Sequence, residues 1–275
     1  MVAALGCRFD WYESTHDGLD EGLVASQLAA ATGGRVVEGK GRNGYAISYA
    51  IIRGDDELVR VYGRSARWGE VHLVTTSESC DEVVPIIRRM WPDHRVSRAD
   101  VSVDFAADFD ELDARAVALV EARGVSHRLM TNSDGGATRY LGARTSETAV
   151  RVYKKSEQLR SQHPDRAESI PDGIVRVEQV TRPGKRDVKE RAARMEPDEF
   201  WGFGQWTQAF AVELLGVDAE RVPTHFRRPS DFARSLHFLG HQYGPMMQRR
   251  ADDVGIDQVM AEIAAALGLG AGRPF

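Results

Sequence analysis

Ser97-Arg98-Ala99-Asp100-Val101-Ser102-Val103-Asp104-Phe105 decides the fold class. Apolar and polar residues alternate with period two through the whole stretch, which marks a β-strand with one buried and one polar side. Ala99, Val101, Val103 and Phe105 share one side; Arg98, Asp100, Ser102 and Asp104 share the other. Two later segments repeat the pattern. In 150–155, Val150 and Val152 oppose Arg151, Tyr153 and Lys155. In 174–179, Val175 and Val177 oppose Arg176 and Glu178. If the three strands are neighbours, their polar sides form one floor.

A sheet side that faces water is ordinarily polar, so alternation in one strand says little about function. The three strands together say more, because their residue types are chemically complementary. Asp100, Asp104 and Glu178 are oxygen ligands for a hard divalent cation such as Mg²⁺ or Mn²⁺. Arg151, Arg176 and Lys155 suit phosphate oxygens, or negative charge that builds up in a transition state. Tyr153, flanked by cations, is expected to have its phenolate favoured and to serve as a covalent nucleophile. A metal ion, cations and an attacking oxygen are the working parts of phosphoryl transfer.

Working outward, residues 2–11 open the chain as a strand, and 45–53 and 57–63 read as a hairpin across Gly54-Asp55-Asp56. Residues 71–75, 138–141 and 148–155 are further strands. Helices are expected over 22–32, from Ser79 to Met90, and after the Asp108-x-x-Glu111 capping pattern. Residues 158–171 read as a loop or frayed helix. After residue 181 the pattern turns helical, over 185–194, 206–215, 230–241 and 257–267. The architecture is therefore α+β, with strands first and helices following. Residues 1–195 form the α+β domain; 196–275 are a helical C-terminal extension, either part of that domain or a separate subdomain.

The 275 residues are 42% hydrophobic and 28% charged, an ordinary globular composition that excludes disorder and collagen. Two cysteines in no CxxC pair argue against a disulfide scaffold or a thiolate zinc site, and point to a reducing cytosol. No apolar run approaches the roughly 18 residues of a membrane span. Net charge is −5, but it is sorted along the chain: 139–195 holds 14 Lys/Arg against 8 Asp/Glu, and the remainder 22 against 33. A local basic patch of this kind suits phosphate contact.

Two patterns point nowhere. Gly39-Lys40-Gly41-Arg42-Asn43-Gly44 fits GxGxxG, but the dinucleotide fingerprint needs a helix after it. Tyr45-Ala46-Ile47-Ser48-Tyr49 is a strand instead. His237 and His241 stand four apart, yet neighbouring Phe238 and Leu239 favour packing over metal ligation.

Several blocks resemble the rolling-circle replication initiators of plasmids and phages and the related relaxases of integrative conjugative elements. Phe9-Asp10-Trp11-Tyr12 is similar to that family's opening strand. Trp91-Pro92 followed by 96–105 is similar to its "tRiDvaiDf" strand. Thr138-Arg139-Tyr140-Leu141-Gly142-Ala143-Arg144-Thr145-Ser146 resembles "T.YlGsr.S", Arg151-Val152-Tyr153-Lys154-Lys155 resembles "RiYdK", and Val175-Arg176-Val177-Glu178 resembles "vRiE". Leu239-Gly240-His241-Gln242-Tyr243-Gly244 is similar to the "QYG" segment. Order and spacing agree from about residue 8 to 245. No His-hydrophobe-His triplet is present, and Lys154 stands where the motif often has an acid.

The resemblance implies a nickase-like antiparallel sheet with helices on one side. It implies site-specific nicking of single-stranded or cruciform origin DNA, a 5′-phosphotyrosine, and a free 3′-OH that primes synthesis. By motif match the nucleophile is Tyr153, with Tyr140 as the fallback, and Arg151 and Lys155 assist. Asp100, Asp104 and Glu178 match the motif carboxylates that hold a divalent metal. Arg98, Arg139, Arg144 and Arg176 are the candidate DNA contacts. A host helicase and a second copy of the chain are the implied partners, with no membrane. Three rival readings stand beside this one: a noncatalytic DNA-binding regulator, a water-using metal-dependent nuclease, and an interaction protein with a merely solvated face. Trp201, Phe203 and Trp206 lie just past the basic segment, and a packed aromatic cluster is preferred there over base stacking.

Overall fold

A computed structural model of the chain describes residues 4–65, 69–133, 135–222 and 231–266. Side chains of 231–235, His237 and His241 lie outside the description, so the histidine pair stays untested. The chain divides into two compact units, Met1–Thr224 and His225–Phe275.

Ten strands build one antiparallel sheet: β1 (Ala4–Asp17), β2 (Arg35–Lys40), β3 (Tyr45–Arg53), β4 (Asp56–Ser65), β5 (Glu70–Thr76), β6 (Arg95–Ala106), β7 (His127–Thr131), β8 (Ala137–Leu141), β9 (Thr148–Lys154) and β10 (Ile174–Thr181). Their order across the sheet is β2-β3-β4-β5-β1-β6-β10-β9-β8-β7. The three alternating strands of the sequence are thus immediate neighbours, β6-β10-β9. The GxGxxG segment is the hairpin between β2 and β3, with Gly44 at φ 91, and it opens no helix.

One side of the sheet carries the core, because most apolar positions of the alternating strands point there. Phe9, Tyr12, Val101, Val103, Phe105, Val150, Val152, Val175 and Val177 belong to one buried cluster. Over the β3–β5 half, Ile51, Val59, Val61, Val71 and Leu73 make a second. Helix α1 (Glu21–Thr32) covers that half together with α2 (Ser79–Met90), through Val24, Leu28, Val83 and Ile87. Asp20 caps α1 by accepting from the Leu23 amide, and Gly33 ends it at φ 66. Helix α3 (Phe109–Glu121) covers the other half, and the Asp108 carboxylate accepts from the Glu111 amide at 2.9 Å.

The segment after β10 completes this layer. Helix α5 (Arg186–Ala192) contributes Val188 and Ala192 to the core, and the 3₁₀ segment Pro197–Phe203 contributes Phe200, Trp201 and Phe203. Helix α6 (Gln205–Phe210) adds Phe210, with Trp206 packed at the margin. The aromatic cluster is a core. Gly142, just past β8, holds φ 80 with Trp206 against it, so a side chain there meets both strain and a ring.

Residues 158–171 hold more structure than the sequence suggests. Helix α4 runs Lys155–Gln162, and a 3₁₀ segment follows at Pro164–Ser169. β9 therefore stops at Lys154, one residue short of the strand read from the sequence. In the second unit, α7 (Asp231–Val254) and α8 (Ile256–Ala266) join at Gly255 (φ 86), and Arg250 pairs with Glu262 at 2.9 Å. No helix of the described residues is long and apolar enough to cross a membrane.

Candidate active site

The site lies on the side of β6, β10 and β9 opposite the core. Register fixes its rows. Asp104 of β6 stands opposite Arg176 of β10, which stands opposite Tyr153 of β9. One pair along, Ser102, Glu178 and Arg151 form the next row, and Tyr140 of β8 continues it beyond Arg151. The period-two reading thus brought all three strands' polar residues onto one floor.

Ion pairing ties this floor together. Arg176 donates to both oxygens of Asp104, at 2.6 and 2.7 Å, and its Nη1 donates to Asp10 Oδ1 at 2.6 Å. Burial opposes its charge, but the Asp104 hydrogen bonds and the Asp10 charge outweigh that and raise its pKa. Arg98 donates to both oxygens of Asp100, at 2.9 and 2.6 Å. Arg151 Nη2 donates to Glu178 Oε1 and lies 3.6 Å from Asp100 Oδ2. Asp100 and Glu178 therefore share one guanidinium.

Tyr153 is 7% exposed, and its hydroxyl donates to Glu178 Oε2 at 3.1 Å. Burial, and then the Glu178 charge, push its pKa above the ordinary phenol value despite Arg176 and Arg151. The sequence suggested a favoured phenolate, and the structure corrects this: desolvation wins over the cations. The phenol is protonated and already bonded to a base. Burial, against the pull of Arg151, also raises the pKa of Glu178, with Asp100 adding repulsion. The Glu178 shift makes it the stronger proton acceptor, whereas the Tyr153 shift holds the proton on the phenol until opposing charge arrives.

Lys155 opens α4 rather than extending β9, yet its ammonium still lies 5.9 Å from the centre of the Tyr153 ring and donates to Gln158. Burial and the nearby Arg176 lower its pKa. Arg144 is exposed in the turn before β9. Arg139 departs from the group. Its neighbours Thr138 and Tyr140 have floor parity, so Arg139 faces the helices and clamps Asp113 of α3 at 2.8 and 2.6 Å. It is an internal strut, removed from the floor.

Asp104 also stands apart from the other two carboxylates. It is four residues from Asp100 along one strand, roughly 13 Å, and both its oxygens belong to Arg176. Among the described residues no group of three His, Cys, Asp or Glu side chains is gathered closely enough to hold a metal ion. A smaller set does fit a hard cation. Asp100 and Glu178 converge, and Ser102, in register with Glu178, has a buried Oγ with no hydrogen-bond partner. Two carboxylates and one hydroxyl match the habit of Mg²⁺, which takes one or two protein carboxylates and fills its shell with water and phosphate oxygens. Arg151 Nε is a second buried orphan on the floor. Such atoms ask for an explanation, and an absent ligand is one.

Three residues escaped the sequence reading. Asp10 completes the Arg176 clamp. Trp11 lies under Arg98, whose guanidinium is 4.5 Å from the ring centre. Arg182 extends the row parity of Arg176 and Glu178 by two more steps; burial, and then the nearby Arg98, lower its pKa. Parity alone would have found Arg182. A bulge in β1, where Phe9 pairs with Val101 and Trp11 with Asp100, hides the other two.

No family model and no curated protein matches the sequence. Among solved structures, the fold is similar to that of a rolling circle replication initiator protein from Geobacillus stearothermophilus. The likeness has a TM-score of 0.50 at 19% identity, and covers 86% of this chain and 96% of that one.

Proposed function

We propose that the protein is a replication initiator that nicks single-stranded origin DNA through Tyr153. The observation that carries the reading is the Tyr153–Glu178 hydrogen bond set among Arg151, Arg176 and Lys155. It combines a nucleophile, a proton acceptor and anion-binding cations on one floor. The shared fold and the motif blocks give the same direction.

In the proposed reaction the Tyr153 oxygen attacks the scissile phosphorus while its proton passes to Glu178. The bond from phosphorus to the 3′ oxygen breaks, and that oxygen takes a proton from Lys155 or solvent. The 5′ phosphate stays on Tyr153, and the free 3′-OH is left to prime synthesis. Covalent capture conserves the energy of the phosphodiester, so rejoining needs no ATP. Arg151 and Lys155 hold phosphate oxygens and balance the charge that grows on them. Arg98, Arg144 and Arg182 track the flanking phosphates, and Arg176 holds Asp104 and Asp10 beside the nucleophile. A divalent cation, when bound by Asp100, Glu178 and Ser102, would polarise the phosphoryl oxygen. A host helicase would separate the strands, since no helicase motif is present.

The test is a denaturing gel. Labelled single strands tiled from the protein's own genomic neighbourhood are mixed with protein, with and without Mn²⁺. The expected result is a denaturant-stable protein–DNA band that disappears in Tyr153→Phe. Loss in Tyr140→Phe instead would move the nucleophile one strand over. Binding without a band across the full tiling would sink the covalent mechanism and leave a DNA-binding regulator.

A further inference from the structure

We propose that the same open face holds a second site, a nucleobase pocket built by Tyr45, Tyr62 and His72, for an unstacked base of the bound single strand. The inference rests on the nicking reading above. Tyr62 of β4 is in register with His72 of β5, and His72 with Thr15 of β1. These positions alternate with the buried Val61, Leu73 and Val71, so the Tyr62 and His72 rings project from the side opposite the core, and the Tyr45 ring meets them there. Packing of the core does not account for them.

The three rings form a compact cluster. Tyr45 and His72 stack with centroids 5.7 Å apart and planes at 17°. Tyr62 leans on both, at 5.8 and 6.1 Å. Tyr45 and His72 border a cleft of about 570 Å³ lined also by Glu13, Thr15, Glu70, Ser97, Arg95, Arg186 and Lys189, and Tyr62 backs the two rings. That volume falls in the range of small-molecule sites, about 300–1,000 Å³.

Each part of the lining matches a part of a nucleotide. The rings offer a stacking surface that any base can use. Burial, and then the Lys189 charge, hold the His72 pKa down to about 4, so the ring is neutral in the ordinary pH range. Arg186 and Lys189 of α5 stand at the rim, where a sugar-phosphate backbone would pass. Arg95 is committed to Asp17 and Glu70 and shapes the floor. Ser97 is the extra residue of a bulge in β6, and its buried Oγ has no partner. It is placed to meet a base edge, beside the Thr15 hydroxyl and the Glu13 carboxylate. Trp11, between this cleft and the Tyr153 cluster, gives the strand an intermediate foothold.

The test pairs affinity with crosslinking. Fluorescence anisotropy with labelled single-stranded homopolymers is expected to show about tenfold weaker binding for Tyr62→Ala and for His72→Ala, and near-parental binding for Tyr62→Phe. Ultraviolet crosslinking of a 5-iodouracil strand to the unmodified protein should label peptides carrying Tyr45 or Tyr62, with no variant needed. Parental affinity in both alanine variants, with crosslinks elsewhere, would overturn the pocket while a Tyr153 adduct keeps the nicking reading. Competition by free nucleoside monophosphates at strand-like affinity would overturn the assignment to a strand. No single-strand binding by the parent would remove both readings together.

Discussion

Val177 and Glu178 are neighbours on β10, each 1% exposed or less, yet they live in different solvents. Val177 is sealed under helices by other apolar side chains. Glu178 is sealed by Arg151, Asp100 and Tyr153 on the side opposite the core. The comparison teaches that burial here has two origins. The apolar side buries itself by the hydrophobic effect, which is roughly proportional to area removed from water. The polar side is buried by its own long, mutually paired side chains, and such pairing returns little net stability because desolvation offsets the attraction. Stability alone does not explain the charges, and the proposed chemistry would.

That contrast can be broken by substitution. The largest effect is expected at Glu178→Gln, which removes the proton acceptor. Adduct formation should fall by about 10²–10⁴-fold with a small change in urea midpoint. Equal losses of stability and adduct would mean that Glu178 is only a strut. Arg176→Ala should cost roughly 2–3 kcal/mol by leaving the half-buried Asp104 and Asp10 without their charged partner. Replacing all three by apolar residues of similar size should restore the stability without restoring the adduct. Val177→Ala, one residue away, should lose roughly 2 kcal/mol and leave the adduct yield of the folded protein near parental.

A further effect appears only at low pH. Burial, aided by neighbouring cations, depresses three histidine pKa values: His16 to about 3, His72 and His94 to about 4. Unfolded, they titrate near 6.5. The folded chain thus binds fewer protons than the unfolded chain below that pH, and stability falls. Their contribution is complete above about pH 6.5 and is lost as pH drops through about 4. His94 accepts from or donates to Tyr12 at 2.6 Å and stacks on His16. His94→Gln should flatten the decline in a series of urea midpoints against pH. An unchanged slope would exclude His94 from it.

Much of this was legible in the sequence. The alternation of 97–105, 150–155 and 174–179 gave the strand faces, and the faces gave the floor. Where the reading went astray, a local backbone event had intervened. Lys155 keeps strand parity in the sequence, but α4 begins there and lifts it over the Tyr153 ring. Arg139 sits in a motif block among floor residues, yet its odd position turns it toward Asp113. The favoured phenolate failed because sequence shows neighbouring charges and conceals desolvation. Strands β2 and β7 were missed because they lie at the sheet edges, where few apolar residues mark them.

The extra residue in β1 has a consequence for how this chain tolerates change. Asp10 acts as a phase marker: before it, odd positions such as Phe9 look inward, and after it Trp11 and Glu13 look outward. Removing one residue there would invert every side chain on one flank relative to β6, swapping inward for outward across half a strand. A deletion in the longer turn between β8 and β9, whose middle residues are exposed, would shorten a loop and little else. Length variation among relatives of this chain should therefore be absent around Asp10 and common at that turn, even if the residue types at both places drift freely.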